Sequence, residues 1–362
     1  MRLPAAADFN YGNNRLRARR SELLDAGDYQ RLLDLDLDAL LDTLQRRYQP
    51  ETTDPHTNDP LQRLHEVIGS NLGRSLEDMR SFYRGRAREL VDLLLSRFDV
   101  ANLIAVLRAR ARAHVRVEDA LAALTPVGWL RQPTAHQAIR PAELAVVVDL
   151  LAKALPDRDQ ALALHRSFEQ YERTHDLASL ERAVVGDHAT RMLARLRRLG
   201  RAGATLLRAV QREADENNIV VTLRLRDAIL SGADDTPPPH ETLLPGGSIP
   251  SSAFAAALRE PEPTAISATL GRQYGKQLHS ALEAWAGTGD VSALQRTLQR
   301  NAIADATALF LTGEPLSIDI PLAFTAVKET EARNLRLLGE AAARGIPAQV
   351  VRHELLWPAV PR

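Results

Sequence analysis

The chain has 362 residues, with 46 Lys plus Arg balanced by 46 Asp plus Glu, and no Cys. Balanced charge gives no general attraction to nucleic acid or to an anionic membrane surface. The absence of Cys rules out disulfides, thiol catalysis and zinc–thiolate sites and fits a reducing compartment. At this length two or three domains with real cores are expected. Only three Lys occur, Lys153, Lys276 and Lys328, so nearly all positive charge is Arg; a GC-rich coding bias is one reading of this, and the other is that the weakly hydrated Arg fork suits contacts with protein carboxylates.

Leu, Ala, Arg and Glu dominate, and apolar residues recur at three- and four-residue steps, which predicts an all-α protein. The opening Met1–Ala7 lacks the apolar core of a signal peptide. Arg15–Leu24 starts the first helical pattern, and Asp28-Tyr29 leads into Leu32, Leu33, Leu37, Leu40 and Leu41. Ser75-Leu-Glu-Asp78 has the spacing of a capping box. The stripe Met79, Phe82, Leu90, Leu94, Leu95, Phe98 then predicts a long helix through Asn102 towards Arg112, with a break near Arg97–Asp99. Pro141 is placed to open a helix carrying Leu144, Val147, Leu150 and Leu151. The apolar run Leu144–Val148 is cut by Asp149 and is too short to span a bilayer. The sequence therefore predicts a soluble protein that meets membranes only through partners. Further helical patterns carry Leu180, Val184, Leu193, Leu196 and Leu206 to Asn218. After the loop Thr236-Pro-Pro-Pro-His240, others carry Leu258, Leu278, Leu282, Leu294 and Leu298 to a last helix opened by Pro321.

One spacing recurs. Asn102, Asn218 and Asn334 each have an acid three residues earlier, namely Asp99, Asp215 and Glu331, and 218 − 102 = 334 − 218 = 116. Leu180–Val184 and Leu294–Leu298 echo one another upstream of the second and third Asn. Turn segments follow the first two, Thr125-Pro-Val-Gly-Trp-Leu130 and Leu244-Pro-Gly-Gly-Ser-Ile249, with Gly345-Ile-Pro347 in a similar place after the third. The repeat predicts three similar helical domains, 1–112, 113–231 and 232–348, and a tail, 349–362. Acid and Asn three apart share a helix face. They either tie a neighbouring helix end or a buried Arg, or form polar clusters that grip something on a common axis. Glu329 and Arg333 have the spacing of a favourable i,i+4 pair.

Catalytic signatures are missing. Gly271-Arg-Gln-Tyr-Gly-Lys276 lacks the second Gly and the Ser or Thr of a phosphate loop, and His65-Glu66 lacks the second His of a zinc-protease helix. The ten His are scattered, and adjacent His175 and Asp176 are expected to point apart on a helix. No catalytic, cofactor-binding or metal-binding residue is assigned.

The stretch Pro315-Leu-Ser-Ile-Asp-Ile-Pro-Leu-Ala-Phe-Thr-Ala-Val-Lys328 and its continuation through Glu331 and Asn334 to Arg336 resembles the closing signature of the C subunits of prokaryotic V/A-type rotary ATPases, relatives of the eukaryotic d subunit. Tyr11-Gly-Asn-Asn-Arg15-Leu-Arg17, with Leu23, Leu24, Asp28 and Tyr29, resembles that family's opening helix. Segments around Asp99–Asn102 and Asn217–Asn218 also fall where the family has such segments. The resemblance implies a funnel of three helical domains about a pseudo-threefold axis. It implies a non-catalytic subunit without cofactor or metal, one copy per complex, on the cytoplasmic face of the membrane rotor ring. There it would receive the central-shaft subunits and pass torque to the ring for proton or other ion transport. A helical-repeat adaptor for another partner is the alternative, and an all-helical hydrolase or lyase would need a cluster of perturbed titratable groups that no motif in the chain suggests.

Overall fold

The structure, a computed structural model, describes residues 7–49, 59–112, 117–122, 124–130, 132–231, 242–271 and 275–357. These residues form helices, turns and loops and no strand. The polyproline loop 236–240 and residues 272–274 of the glycine–lysine stretch lie outside the described residues.

The N-terminal helices are α1 (Ala7–Ala18), followed by a 3-10 turn at Arg19–Glu22, then α2 (Ala26–Leu32) and α3 (Leu37–Tyr48). A reciprocal capping box starts α2: Asp28 N donates to Asp25 Oδ1 (2.8 Å), and Asp25 N donates to Asp28 Oδ2 (3.1 Å). Helix α4 (Pro60–Ser81) begins with Asp59 as N-cap and Pro60 in its first turn. Ser75–Asp78 therefore lies inside a helix and is not a cap, because residues 60–74 are already helical before it.

The expected long helix is also divided elsewhere than at Arg97–Asp99. It stops after Ser81 and resumes as α5 (Gly85–Ala111), which runs unbroken through Asp99 and Asn102. Gly85 adopts φ of 55°, a left-handed conformation that costs Gly little and redirects the chain. Phe82 and Tyr83 are buried beside the break, so the apolar stripe passes over it without a gap.

The middle of the chain contains α6 (Val117–Ala122), α7 (Gln132–Ile139), α8 (Leu144–Ala154), α9 (Arg158–Thr174), α10 (Leu177–Leu199) and α11 (Ala204–Leu230). Pro141 lies three residues before α8. His175 and Asp176 do not share a helix: His175 caps the end of α9 with φ of 54°, and Asp176 Oδ1 accepts from Ser179 N (3.1 Å) at the start of α10. The rest comprises α12 (Ser251–Arg259), α13 (Pro263–Gly271), α14 (Gly275–Thr288), α15 (Val291–Thr312), α16 (Asp319–Ala343) and α17 (Ala348–Glu354). Pro321 lies in the first turn of α16.

Contacts group the chain into two compact units, one of Met1–Asp187 with Ala306–Arg362 and one of His188–Asp305. In the first, one core joins Leu103, Val106 and Leu107 of α5 to Val147 and Leu151 of α8, Leu164 and Phe168 of α9, and Leu180 of α10. Elsewhere in that unit α16 packs along α4, beside α1 and α3. The approach is close: a Cβ on Gly339 would sit 2.3 Å from a methyl of Leu64. In the second unit Ile219, Val220 and Leu223 of α11 pack on Phe254, Ile266, Leu282, Trp285 and Leu294. Each acid–Asn pair stands near the middle of the longest helix in its part of the chain: α5, α11 and α16.

Candidate functional site

Asn102, Asn218 and Asn334 are all buried, and each makes the same pair of hydrogen bonds. Asn102 Nδ2 donates to Thr125 O (2.7 Å) and Thr125 N donates back to Asn102 Oδ1 (3.0 Å). Asn218 does so with Leu244 (2.9 and 2.8 Å), and Asn334 with Leu356 (2.6 and 3.1 Å). A carboxamide carries one acceptor and donors on neighbouring atoms, so it pairs with both polar groups of a single peptide residue. The held residue sits in a recurrent setting, Leu124-Thr125-Pro126, Leu243-Leu244-Pro245 and Leu355-Leu356-Trp357. A following Pro favours an extended conformation at the held residue in the first two.

The first two acids bind backbone just before a later helix. Asp99 Oδ1 accepts from Trp129 N (2.8 Å) and Leu130 N (3.1 Å). Asp215 accepts from Ser248 N (2.7 Å), Ser248 Oγ (3.0 Å) and Ile249 N (3.1 Å). A glycine presses against each aspartate, two residues before the last donor. A Cβ on Gly128 would lie 2.2 Å from Asp99, and one on Gly247 would lie 2.0 Å from Asp215. Gly128 also has φ of +86°. The turn segments at 125–130 and 244–249 are therefore the partners of the first two acid–Asn pairs. The third differs from expectation: Asn334 holds Leu356, and Gly345–Pro347 only turns the chain from α16 into α17.

Glu331 is the divergent acid. Its Oε2 accepts from Leu24 N (3.0 Å), and its Oε1 accepts from the Tyr48 hydroxyl (2.8 Å) and from Lys328 Nζ. Lys328 Nζ also donates to Asn71 Oδ1 (2.9 Å) and lies 5.5 Å from the Tyr48 ring centroid. Lys328 and Glu331 form a buried ion pair. Burial, then the Glu331 carboxylate, raises the Tyr48 pKa well above the usual phenol value, so the hydroxyl remains a donor. Sequence spacing alone missed Tyr48 and Asn71. Arg336 stands apart from these networks, half-buried beside His65, and burial lowers its pKa. Glu329 is ion-paired with Arg97 of α5, a contact the expected pairing with Arg333 did not anticipate.

The Asp99 carboxyl is pushed up to about 7, chiefly by burial; the N–H groups of Leu130 and Trp129 and the Arg80 charge pull it down, and Glu77 pushes it up. An unfolded aspartate titrates near ~3.9. Between these values the folded chain binds the extra proton, so the stability that Asp99 contributes is full below pH ~4 and is lost as pH rises through about 7. Asp99→Asn is expected to flatten that fall. Urea unfolding of both proteins at pH 4.5 and pH 7.5 measures it, and equal slopes would show that Asp99 does not carry the effect.

The acid–Asn sites thus hold the chain's own backbone. Among the described residues no group of three or more His, Asp or Glu is arranged to hold a metal ion, and no helix is long and apolar enough to cross a membrane. Fold and sites define an all-helical protein whose recurrent polar spacing serves internal ties between long helices and backbone elsewhere in the chain.

Its relatives make the class specific. The sequence profile described as ATP synthase (C/AC39) subunit matches residues 13–354, and the chain belongs to that family. It is 29% identical to the C subunit of the V-type ATP synthase of Thermus thermophilus over 354 residues, covering 98% of this chain and 100% of that protein. It is 22% identical to the C subunit of the A-type ATP synthase of Haloquadratum walsbyi, covering 96% and 97%. It is 24% identical to the C subunit of the V-type ATP synthase of Deinococcus radiodurans, covering 96% and 91%. The chain is accordingly a subunit of a V/A-type rotary ATPase, in a family of non-catalytic stalk subunits, and it works among partner subunits.

Proposed function

We propose that this chain is the socket of the central stalk, receiving the central-shaft subunits and seating them on the membrane rotor ring, one copy per complex, on the cytoplasmic side. The observation that carries the reading is the full-length similarity to the C subunits of V-type and A-type ATP synthases. The acid–Asn ties support it. A part that transmits torque must resist relative movement of its loops and helices, and buried paired hydrogen bonds provide that resistance. On this reading 1–112, 113–231 and 232–348 are three similar domains of a funnel with pseudo-threefold symmetry. Asp99, Asn102, Asp215, Asn218, Lys328, Glu331, Asn334 and Arg336 mark the repeats and are not shaft contacts.

The test is co-elution of the purified chain with the central-shaft subunits of its own organism on a sizing column. A stable stoichiometric complex is expected, with an interface of well over roughly 1,000 Å². Elution apart from the shaft at low salt, together with no capture by the detergent-solubilised rotor ring, would overturn the socket reading in favour of an adaptor for other partners.

A further inference from the structure

In the first two acid–Asn sites the loop held by Asn and the helix start held by the acid are one continuous segment. Thr125 and Leu130 are five residues apart, as are Leu244 and Ile249. In each, the last N–H bound by the acid belongs to the residue two before a helix: Leu130 before α7 at Gln132, Ile249 before α12 at Ser251. At the third site Glu331 binds the N–H of Leu24, which stands two before α2 at Ala26. The placement two residues before a helix is the same, but Leu24 and Leu356 are separated by 332 residues of chain.

We infer that α2 and α3, residues 24–48, are the helix-start segment of the C-terminal acid–Asn site, supplied by the other end of the chain as a non-covalent clasp. Four differences at this site follow from that substitution. The acid is Glu, one methylene longer than the Asp of the other two sites. One N–H is bound by the acid instead of two adjacent ones, and the Tyr48 hydroxyl accompanies it. A buried cation, Lys328, joins the acid. Across the joint the Tyr29 ring meets the Trp357 ring edge-on at 6.0 Å, next to the Leu356 that Asn334 holds. The other two sites close through a five-residue loop, so their two halves cannot part far. At the third no short connection keeps the halves at high effective concentration, and the contacts alone hold it. The clasp is therefore the place where the first compact unit opens locally while the chain stays intact. This does not rest on the socket reading, since it concerns the chain's own closure.

Hydrogen exchange of the full chain, read by peptide, tests it. Tyr48→Phe removes one charge-assisted bond across the clasp. Glu331→Asp keeps the counter-charge for Lys328 but draws the carboxylate back by one methylene. Exchange within residues 24–48 is expected to accelerate roughly tenfold to a hundredfold in either variant, with Gln132–Ile139 and Ser251–Arg259 unchanged. Equal acceleration of all three segments would overturn the clasp, as would unchanged exchange of 24–48 in both variants. The Tyr48→Phe variant retains every apolar contact of the ring, so the test stands even if Glu331→Asp fails to fold.

Discussion

Replacing Lys328 by Met lowers the stability of the first compact unit by about 3–5 kcal/mol, the cost of leaving a buried carboxylate without its cation. Lys328 and Glu331 are nearly inaccessible to solvent, so water cannot take over from either partner. The double variant Lys328→Met/Glu331→Gln removes the charge altogether and recovers a large part of the loss, since a buried pair replaced as a pair is often close to neutral. Urea unfolding of wild type, both single variants and the double variant gives the coupling directly. Single variants whose effects simply add in the double would show that the pair is not coupled, and that Glu331 is held by Leu24 and Tyr48 without help from the cation.

Asn→Ala at the three ties gives graded losses. At Asn102 and Asn334 the held residues, Thr125 and Leu356, are buried. Truncation there leaves an N–H and a C=O unpaired away from water, at a cost of about 2–5 kcal/mol for the two groups together. Leu244 is half-buried, so water can satisfy its groups in Asn218→Ala, and the loss is smaller, about 1–2 kcal/mol. Asn→Asp does not rescue any site, because it keeps the acceptor for the backbone N–H but faces the backbone carbonyl with a second oxygen. Unfolding midpoints of the three alanine variants test the order: a loss at Asn218 equal to or greater than those at Asn102 and Asn334 would show that burial of the held residue does not set the cost.

The residues behind these two predictions differ in how legible they are from sequence. The Asn positions are visible as a spacing of 116, because three long helices each carry an acid and an Asn three residues apart on one face. Their partners also have a signal, the Leu-x-Pro segments at Thr125 and Leu244, which follow the Asn by 23 and 26 residues. At the third site that signal is altered, with Trp357 after the held Leu356, and Gly345–Pro347 is the more conspicuous turn. The ion pair is half legible: Lys328 and Glu331 are three apart on a helix, but Tyr48, Asn71 and Leu24 come from distant segments. Helix boundaries are least legible where buried side chains flank a break, as at Phe82 and Tyr83 before Gly85.

Periodicity determines which face of a helix is apolar, so the all-helical class and the placing of the acid–Asn pairs on helices came from local sequence, whereas their position near the middle of long unbroken helices came from the structure. Repetition of a motif at constant spacing, together with the Lys328–Arg336 stretch, was enough for the family resemblance. Which backbone groups those side chains hold was decided only by tertiary structure. A carboxylate binds whatever N–H lies within about 3 Å, and nothing periodic in a sequence marks a donor 307 residues away, as Leu24 is from Glu331. The same reason explains Arg97 with Glu329: the helical i,i+4 neighbour was near in sequence, but the packing of the unit brought a partner from another helix within reach.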